Sequence, residues 1–231
     1  MRRAVALAAF SCLAVAIPAR GANDNVLSRE TGTVTYKLPQ SEPATLTGST
    51  LVGDAVIAST DVGALAKLQL LDSSEIRIGD RTTVRIGDLA TAAQSTPGGT
   101  LYLERGAVRF AITHPSGGHA NYRFVTSTSQ LGVRGTVGYF VVGPAGQEIY
   151  CVQCEAGDVI VRAGTQTVAV LSGQTLDIGI QNGIVTHADI VANHEINNPA
   201  IDQFLGGVSP FGQSAVLGTD PTQSGSGVFQ P

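Results

Sequence analysis

The sequence predicts an all-β fold, a short-strand β-sandwich or a β-solenoid, followed by a disordered C-terminal tail. Three observations lead there. From Thr33 to Ile178 short apolar runs alternate with polar residues at a period of two, the pattern of strands with one buried face. Glycine supplies 28 of the 231 residues, and Gly, Asp and Pro interrupt the runs about every 8–12 residues, the spacing of sandwiches, barrels and solenoids. Val, Ile and Thr dominate over Leu, Glu and Lys, which favours strands over a helical bundle. The apolar content of 43% is too high for a wholly disordered chain. A net charge of −4 with two lysines lacks the basic footprint of a nucleic-acid binder.

The first element is an address. Arg2 and Arg3 precede an uncharged apolar run from Ala4 to Ile17, shorter than the roughly 20 residues that cross a bilayer. Pro18 ends the run, and Ala19 and Gly21 place small residues at −3 and −1 of a cleavage site. Residues 1–21 therefore read as a secretory signal peptide. No later stretch resembles a membrane span, so the processed chain is expected in the periplasm or outside the cell without one.

Residues 30–190 read as the β-domain. Glu75-Ile76-Arg77-Ile78 and Thr83-Val84-Arg85-Ile86 alternate, with Ile and Val inward and charges outward; Val108, Phe110 and Ile112 continue the scheme, and Leu131 and Val133 follow. Val137–Val142 is apolar on both faces and reads as a central strand, and Val168–Leu171 reads the same way. Turns are marked by Asp72-Ser73-Ser74, Gly79-Asp80, Gly87-Asp88, Pro97-Gly98-Gly99, Gly143-Pro144 and Ser172-Gly173. Ile76-Arg77-Ile78-Gly79-Asp80 recurs eight residues later as Val84-Arg85-Ile86-Gly87-Asp88, and Gly53-Asp54-Ala55-Val56-Ile57 resembles Gly157-Asp158-Val159-Ile160-Val161. Such repeats suit rungs of a solenoid or hairpins that share turn chemistry. Residues 191–231 read as a short helix at Asn198–Gly206, then a tail in which 13 of 26 residues are Gly, Ser or Pro.

Several of these segments together resemble the FecR domain family. They are Gly53-Asp54-Ala55-Val56, then Ala66–Leu70 with Asp72–Gly79, then Leu103-Glu104-Arg105-Gly106-Ala107-Val108-Arg109-Phe110. Phe124-Val125-Thr126-Ser127 follows, leading into Gly132-Val133-Arg134-Gly135-Thr136, and Gly157–Val161 with Leu171–Gln174 matches the closing strands. The match covers residues 50–178, and the Gly-Val-Arg-Gly-Thr segment is its most specific part. The resemblance implies a periplasmic, non-catalytic all-β module. In the best known members it belongs to a transmembrane sigma-factor regulator that relays an iron-siderophore signal from an outer-membrane receptor. Here it implies a stand-alone exported form without the cytoplasmic sigma-binding segment.

Chemistry-bearing residues are sparse. His114 and His119 flank an expected hairpin loop, and His187, Asp189, His194 and Glu195 cluster near the end of the body. Neither set has the ligand spacing of a metal site, so no metal and no cofactor are expected. No Gly-x-Ser-x-Gly elbow occurs, and the acidic residues mostly follow glycines in turns; no enzyme is predicted. Residues 75–134 hold seven arginines against four acids. Arg77, Arg85, Arg109 and Arg123 fall on outward positions. If their strands are neighbours they form one ladder that binds an anionic glycan or an acidic partner; paired with Glu75 and Glu104 they form a solvated face. Cys151 and Cys154 lie in a strand whose residues i and i+3 are about 10 Å apart. A disulfide therefore requires a bend at Val152-Gln153, and both bend and bond are expected. Arg134, beside Gly132 and Gly135, is expected to clasp carbonyls or a carboxylate.

The function expected from these readings is a non-catalytic interaction module of the bacterial envelope, linked to signal sensing. Its partner is another envelope protein or an anionic glycan, and not nucleic acid. The alternatives are a self-associating envelope structural component and an enzyme or metal-binding protein. Export is checked by N-terminal sequencing of protein from a periplasmic fraction: a start at Ala22 is expected, and a start at Met1 contradicts it.

Overall fold

The computed structural model describes residues 25–89, 96–114, 118–191 and Phe204. These residues form strands, turns and loops and no helix. The strands begin with β1 (Val26–Thr31), β2 (Val34–Lys37), β3 (Ala44–Thr45), β4 (Ser49–Leu51), β5 (Ile57–Thr60) and β6 (Leu65–Gln69). Next come β7 (Glu75–Ile78), β8 (Thr83–Leu89), β9 (Gly98–Ala111), β10 (Asn121–Val125), β11 (Ser129–Val133) and β12 (Val137–Val142). The last are β13 (Gly146–Gln153), β14 (Val159–Ala163), β15 (Gln166–Ala169), β16 (Thr175–Gln181) and β17 (Ile184–Val191).

Hydrogen-bonded pairing sorts them into two open sheets. The first runs β4-β1-β6-β7-β9-β12-β13-β16-β17, all antiparallel. The second runs β3-β2-β5-β8-β9-β10-β11-β14-β15, with β9–β10 as the one parallel pair. The period-two pattern turns one face of each sheet inward, and these faces merge into a single core. Ile76, Ile78, Val108, Phe110, Phe140 and Leu176 come from the first sheet, and Val84, Ile86, Leu101, Phe124, Leu131 and Val161 from the second. Phe110 meets Phe124 across the core at 5.3 Å. Polar bridges also join the sheets. Buried Gln147 on β13 donates to Thr126 and Thr128, at 2.9 and 2.8 Å, at the β10–β11 turn, and Ser129 donates to its carbonyl oxygen.

The strand β9 belongs to both sheets. Its first half places Leu101 and Leu103 inward in the second sheet; its second half places Val108 and Phe110 inward in the first. Inward positions thus change from odd to even numbers, which a regular strand cannot do. The register to β8 shifts at Glu104, since Thr83 faces Arg105 and Val84 faces Leu103; Gly106 follows at φ 94°, where a Cβ would lie 2.6 Å from Thr82 Cα. Thr82 caps the crossing: its hydroxyl accepts from Ala107 N at 2.9 Å.

The eight-residue repeat now has a structural meaning. Its first copy lies in β7 of the first sheet and its second in β8 of the second, so one repeat carries the chain across the core. The body is a sandwich whose chain winds between its sheets as in a flattened coil. Val137–Val142 is central as expected, flanked by β9 and β13. Val168–Leu171 is not. In it β15 pairs, among the described residues, with β14 alone and forms an edge, and Leu171 is 43% exposed. A short apolar run resembles a central strand by composition, but neighbours are decided by the winding. The expected helix at Asn198–Gly206 and the tail lie outside the described residues except Phe204, which packs on Tyr139 at 5.9 Å on the outer face of the first sheet.

Replacing Gly106 with alanine adds left-handed strain and a clash with Thr82. A loss of about 3 kcal/mol is expected, read as a melting temperature lower by about 6–12 °C.

Candidate functional site

The Gly132–Thr136 segment leaves β11 and enters β12 at one end of the sandwich. Its backbone does the holding. Arg134 N donates to Asp158 O at 2.9 Å, and Ala120 N donates to Arg134 O at 2.9 Å. Gly135 has φ 146°, and a Cβ there would lie 2.5 Å from the His114 ring. The positive φ favours glycine there, and an added Cβ would displace the His114 ring. The Arg134 side chain is exposed, and among the described residues no carboxylate lies within ion-pair distance of it. The clasp expected of its guanidinium is therefore made by main-chain groups and by Thr136.

Thr136 is buried, and its hydroxyl serves the cysteines. It donates to Gln153 O and stands 3.0 Å from Cys154 Sγ and 3.5 Å from Cys151 Sγ. The expected bend is present: Val137 pairs with Gln153 and Gly138 with Cys151, so Val152 bulges out of the ladder. The bulge brings the cysteine Cα atoms to 6.1 Å, inside the roughly 4.4–6.8 Å that a disulfide bridges, and the two sulfurs meet as a close pair. Cys151 is fully buried, whereas Cys154 is half-buried.

Beside this pair opens a cavity of about 360 Å³ whose lining includes His114, Thr136, Cys154, Glu155 and Asp158. Asp158 is buried, accepts from Glu155 N at 2.9 Å, and sits 3.7 Å from His114 Nε2. His119 meets His114 edge to face at 5.7 Å. These residues are scattered over 45 positions of sequence, and only the winding gathers them. The one sequence signal for the convergence was the Gly-rich segment itself.

The four arginines do not form one ladder. Arg77 and Arg109 are register partners on the outer face of the first sheet. Glu75 neutralises both, at 2.9 and 4.0 Å, and Glu30 adds a contact to Arg77 at 3.8 Å. Burial raises the Tyr139 phenol above its ordinary pKa, and the neighbouring Arg109 cation pulls it the other way. Arg85 and Arg123 are on the opposite face, on the outside of the second sheet. Adjacent strands twist and pack so that β7 and β8, near in sequence, belong to different sheets.

On that second face Arg85 lies over the Tyr102 ring at 3.6 Å. The register runs Arg85–Tyr102–Val125–Gln130–Arg162 across five strands, a span of about 19 Å at ordinary strand spacing. Arg123 is two residues from Val125, in the middle. Arg162 was missed by the sequence reading because it lies outside the Arg-rich stretch. Among the described residues no carboxylate comes within ion-pair distance of Arg85, Arg123 or Arg162. Asp88 is near; the Thr100 hydroxyl, then a backbone donor, hold its carboxyl below the usual range, with a smaller pull from Arg123.

His187 contacts Asp177 at 3.3 Å on the exposed face of β16–β17, while His194 and Glu195 lie outside the described residues. Among the described residues no three His, Cys, Asp or Glu side chains are placed to hold a metal ion.

The family model described as FecR protein matches residues 57–186. Two solved structures of a candidate anti-sigma factor from Parabacteroides distasonis are similar at 13% and 14% identity, each with a TM-score of 0.48. Each match covers 61% of this chain and 62% of that one, so the chain spans less than two thirds of that protein's length. No curated protein matches the sequence.

Thr136→Val removes the hydroxyl from buried acceptors and is expected to cost about 1–3 kcal/mol. Arg134→Ala is expected to stay within about 0.5 kcal/mol of the parent, as exposed substitutions do. Urea denaturation of both variants checks the contrast; a large loss in Arg134→Ala restores the guanidinium clasp.

Proposed function

The chain belongs to the FecR family, and on that premise we propose that it is an exported, non-catalytic recognition module with a regulatory, signal-sensing role in the bacterial envelope. Its working surface is the outer face of the second sheet, and its partner is an extended acidic segment of another envelope protein. The observation that carries this is the contrast between the two arginine sets. Arg77 and Arg109 are neutralised by Glu75 and Glu30. Arg85, Arg123 and Arg162 have no ion pair among the described residues and cover about 19 Å of one flat face.

Three cations held on stiff strands at that separation suit carboxylates spaced along an extended chain. Tyr102 beneath Arg85 fixes the guanidinium plane, so little side-chain entropy is lost on docking. Charges of this kind steer encounter and set specificity, so binding weakens with salt.

The test is capture of outer-membrane proteins on the immobilised chain, followed by affinity measurement with the protein caught. Arg123→Glu and Arg162→Glu are each expected to weaken binding by about tenfold, or roughly 1.4 kcal/mol, and more steeply at low salt. Arg77→Glu is expected to leave it unchanged. Equal loss from Arg77→Glu moves the site to the other face. Retention of an anionic glycan in place of any protein changes the partner class. Hydrolase activity abolished by a single His or carboxylate change overturns the non-catalytic reading.

A further inference from the structure

Independently of the arginine face, we infer that the Cys151–Cys154 disulfide is a thiol–disulfide exchange site, entered from the cavity beside it and serving a dithiol of a partner protein. Four features carry this. The bond closes only a four-residue loop, so it removes little conformational freedom from the unfolded chain and is a weak staple. Its two sulfurs are unequal: Cys151 is fully buried in the core, and Cys154 is half-buried and lines a cavity of about 360 Å³. That volume admits a thiol-bearing side chain. The Thr136 hydroxyl stands 3.5 Å from Cys151 Sγ, close enough to turn its one proton from Gln153 O to a departing thiolate. Finally, the pair sits at a bulge, where Val152 is already outside the ladder of β12 and β13, so the bond opens without breaking sheet pairing.

A partner thiolate attacks Cys154 Sγ from the cavity, and a mixed disulfide forms. The electron pair of the broken bond passes to Cys151 Sγ. The partner's second thiolate then attacks the partner sulfur of the mixed disulfide and releases Cys154 as thiolate. The partner dithiol becomes a disulfide, and its two protons end on Cys151 and Cys154. The pair gains two electrons and the partner loses two. His114 and buried Asp158 line the same cavity and set the polarity that an incoming thiolate meets. Reduction frees the Gln153 turn that Thr136 now holds, so the Gly132–Thr136 segment is the element that reports the redox state.

The test uses the full chain with Cys12→Ser, so that two cysteines remain. Dithiothreitol without denaturant is expected to reduce the native pair while the β-sheet circular dichroism is kept, and Cys154 is expected to be alkylated first on brief treatment. In Cys151→Ser, Cys154 is expected to react with Ellman's reagent about 100-fold faster than Cys151 does in Cys154→Ser, as exposure of the thiolate dictates. Oxidised glutathione is expected to form a mixed disulfide on Cys154 and not on Cys151. Should the serine variants unfold, the order of alkylation in the partly reduced parent decides alone. Reduction no faster than global unfolding, or equal reactivity of the two cysteines, overturns the proposal and leaves a structural bond.

Discussion

Everything in this fold hangs on the crossing of β9 from Glu104 to Gly106. One strand serves as the central member of two sheets, and its inward residues change parity between Leu103 and Val108. A left-handed residue with no Cβ is the only kind that passes Thr82 there. Without that change, either Leu101 and Leu103 or Val108 and Phe110 would point to solvent. One fully buried pair of large side chains would be lost, each side chain worth about 1.5–3 kcal/mol of burial. The sheets would then share no core and neither would be stable alone.

The crossing also sorts the chemistry. Because the chain moves from sheet to sheet every few strands, residues adjacent in sequence come to lie on opposite outer faces. Arg77 and Arg85 are eight residues apart and face away from each other. Arg85 and Arg162 are far apart in sequence and share a row. The same winding brings His114, Thr136, Cys154 and Asp158 around one cavity at the end of the sandwich. The two surfaces differ in kind. The arginine face is open, flat and charged, suited to extended partners; the cavity is small and holds a reachable sulfur.

Local chemistry explains why some of this was legible beforehand. The bulge at Val152 followed from the expected pairing of the two cysteines, since residues i and i+3 of a regular strand cannot meet. The inward set of Ile76, Ile78, Val84 and Ile86 followed from period two. The residue type of Arg134 suggests a side-chain role, whereas its neighbours use its backbone. The run at Val168 has the composition of a central strand, but an apolar edge and an apolar centre are alike in composition.

By itself the sequence determined the all-β class, the inward and outward residues of most strands, the turns, and the need for a bend between the cysteines. All of these depend on interactions within a few residues, which alternation and turn chemistry record directly. Membership of two sheets, the separation of the four arginines, the exposure of Arg162 beside Gln130, and the gathering of the cavity were decided only in the tertiary structure. They depend on which strands become neighbours, and pairing across the sandwich is set by total burial of the shared core, a property that no short stretch of sequence carries.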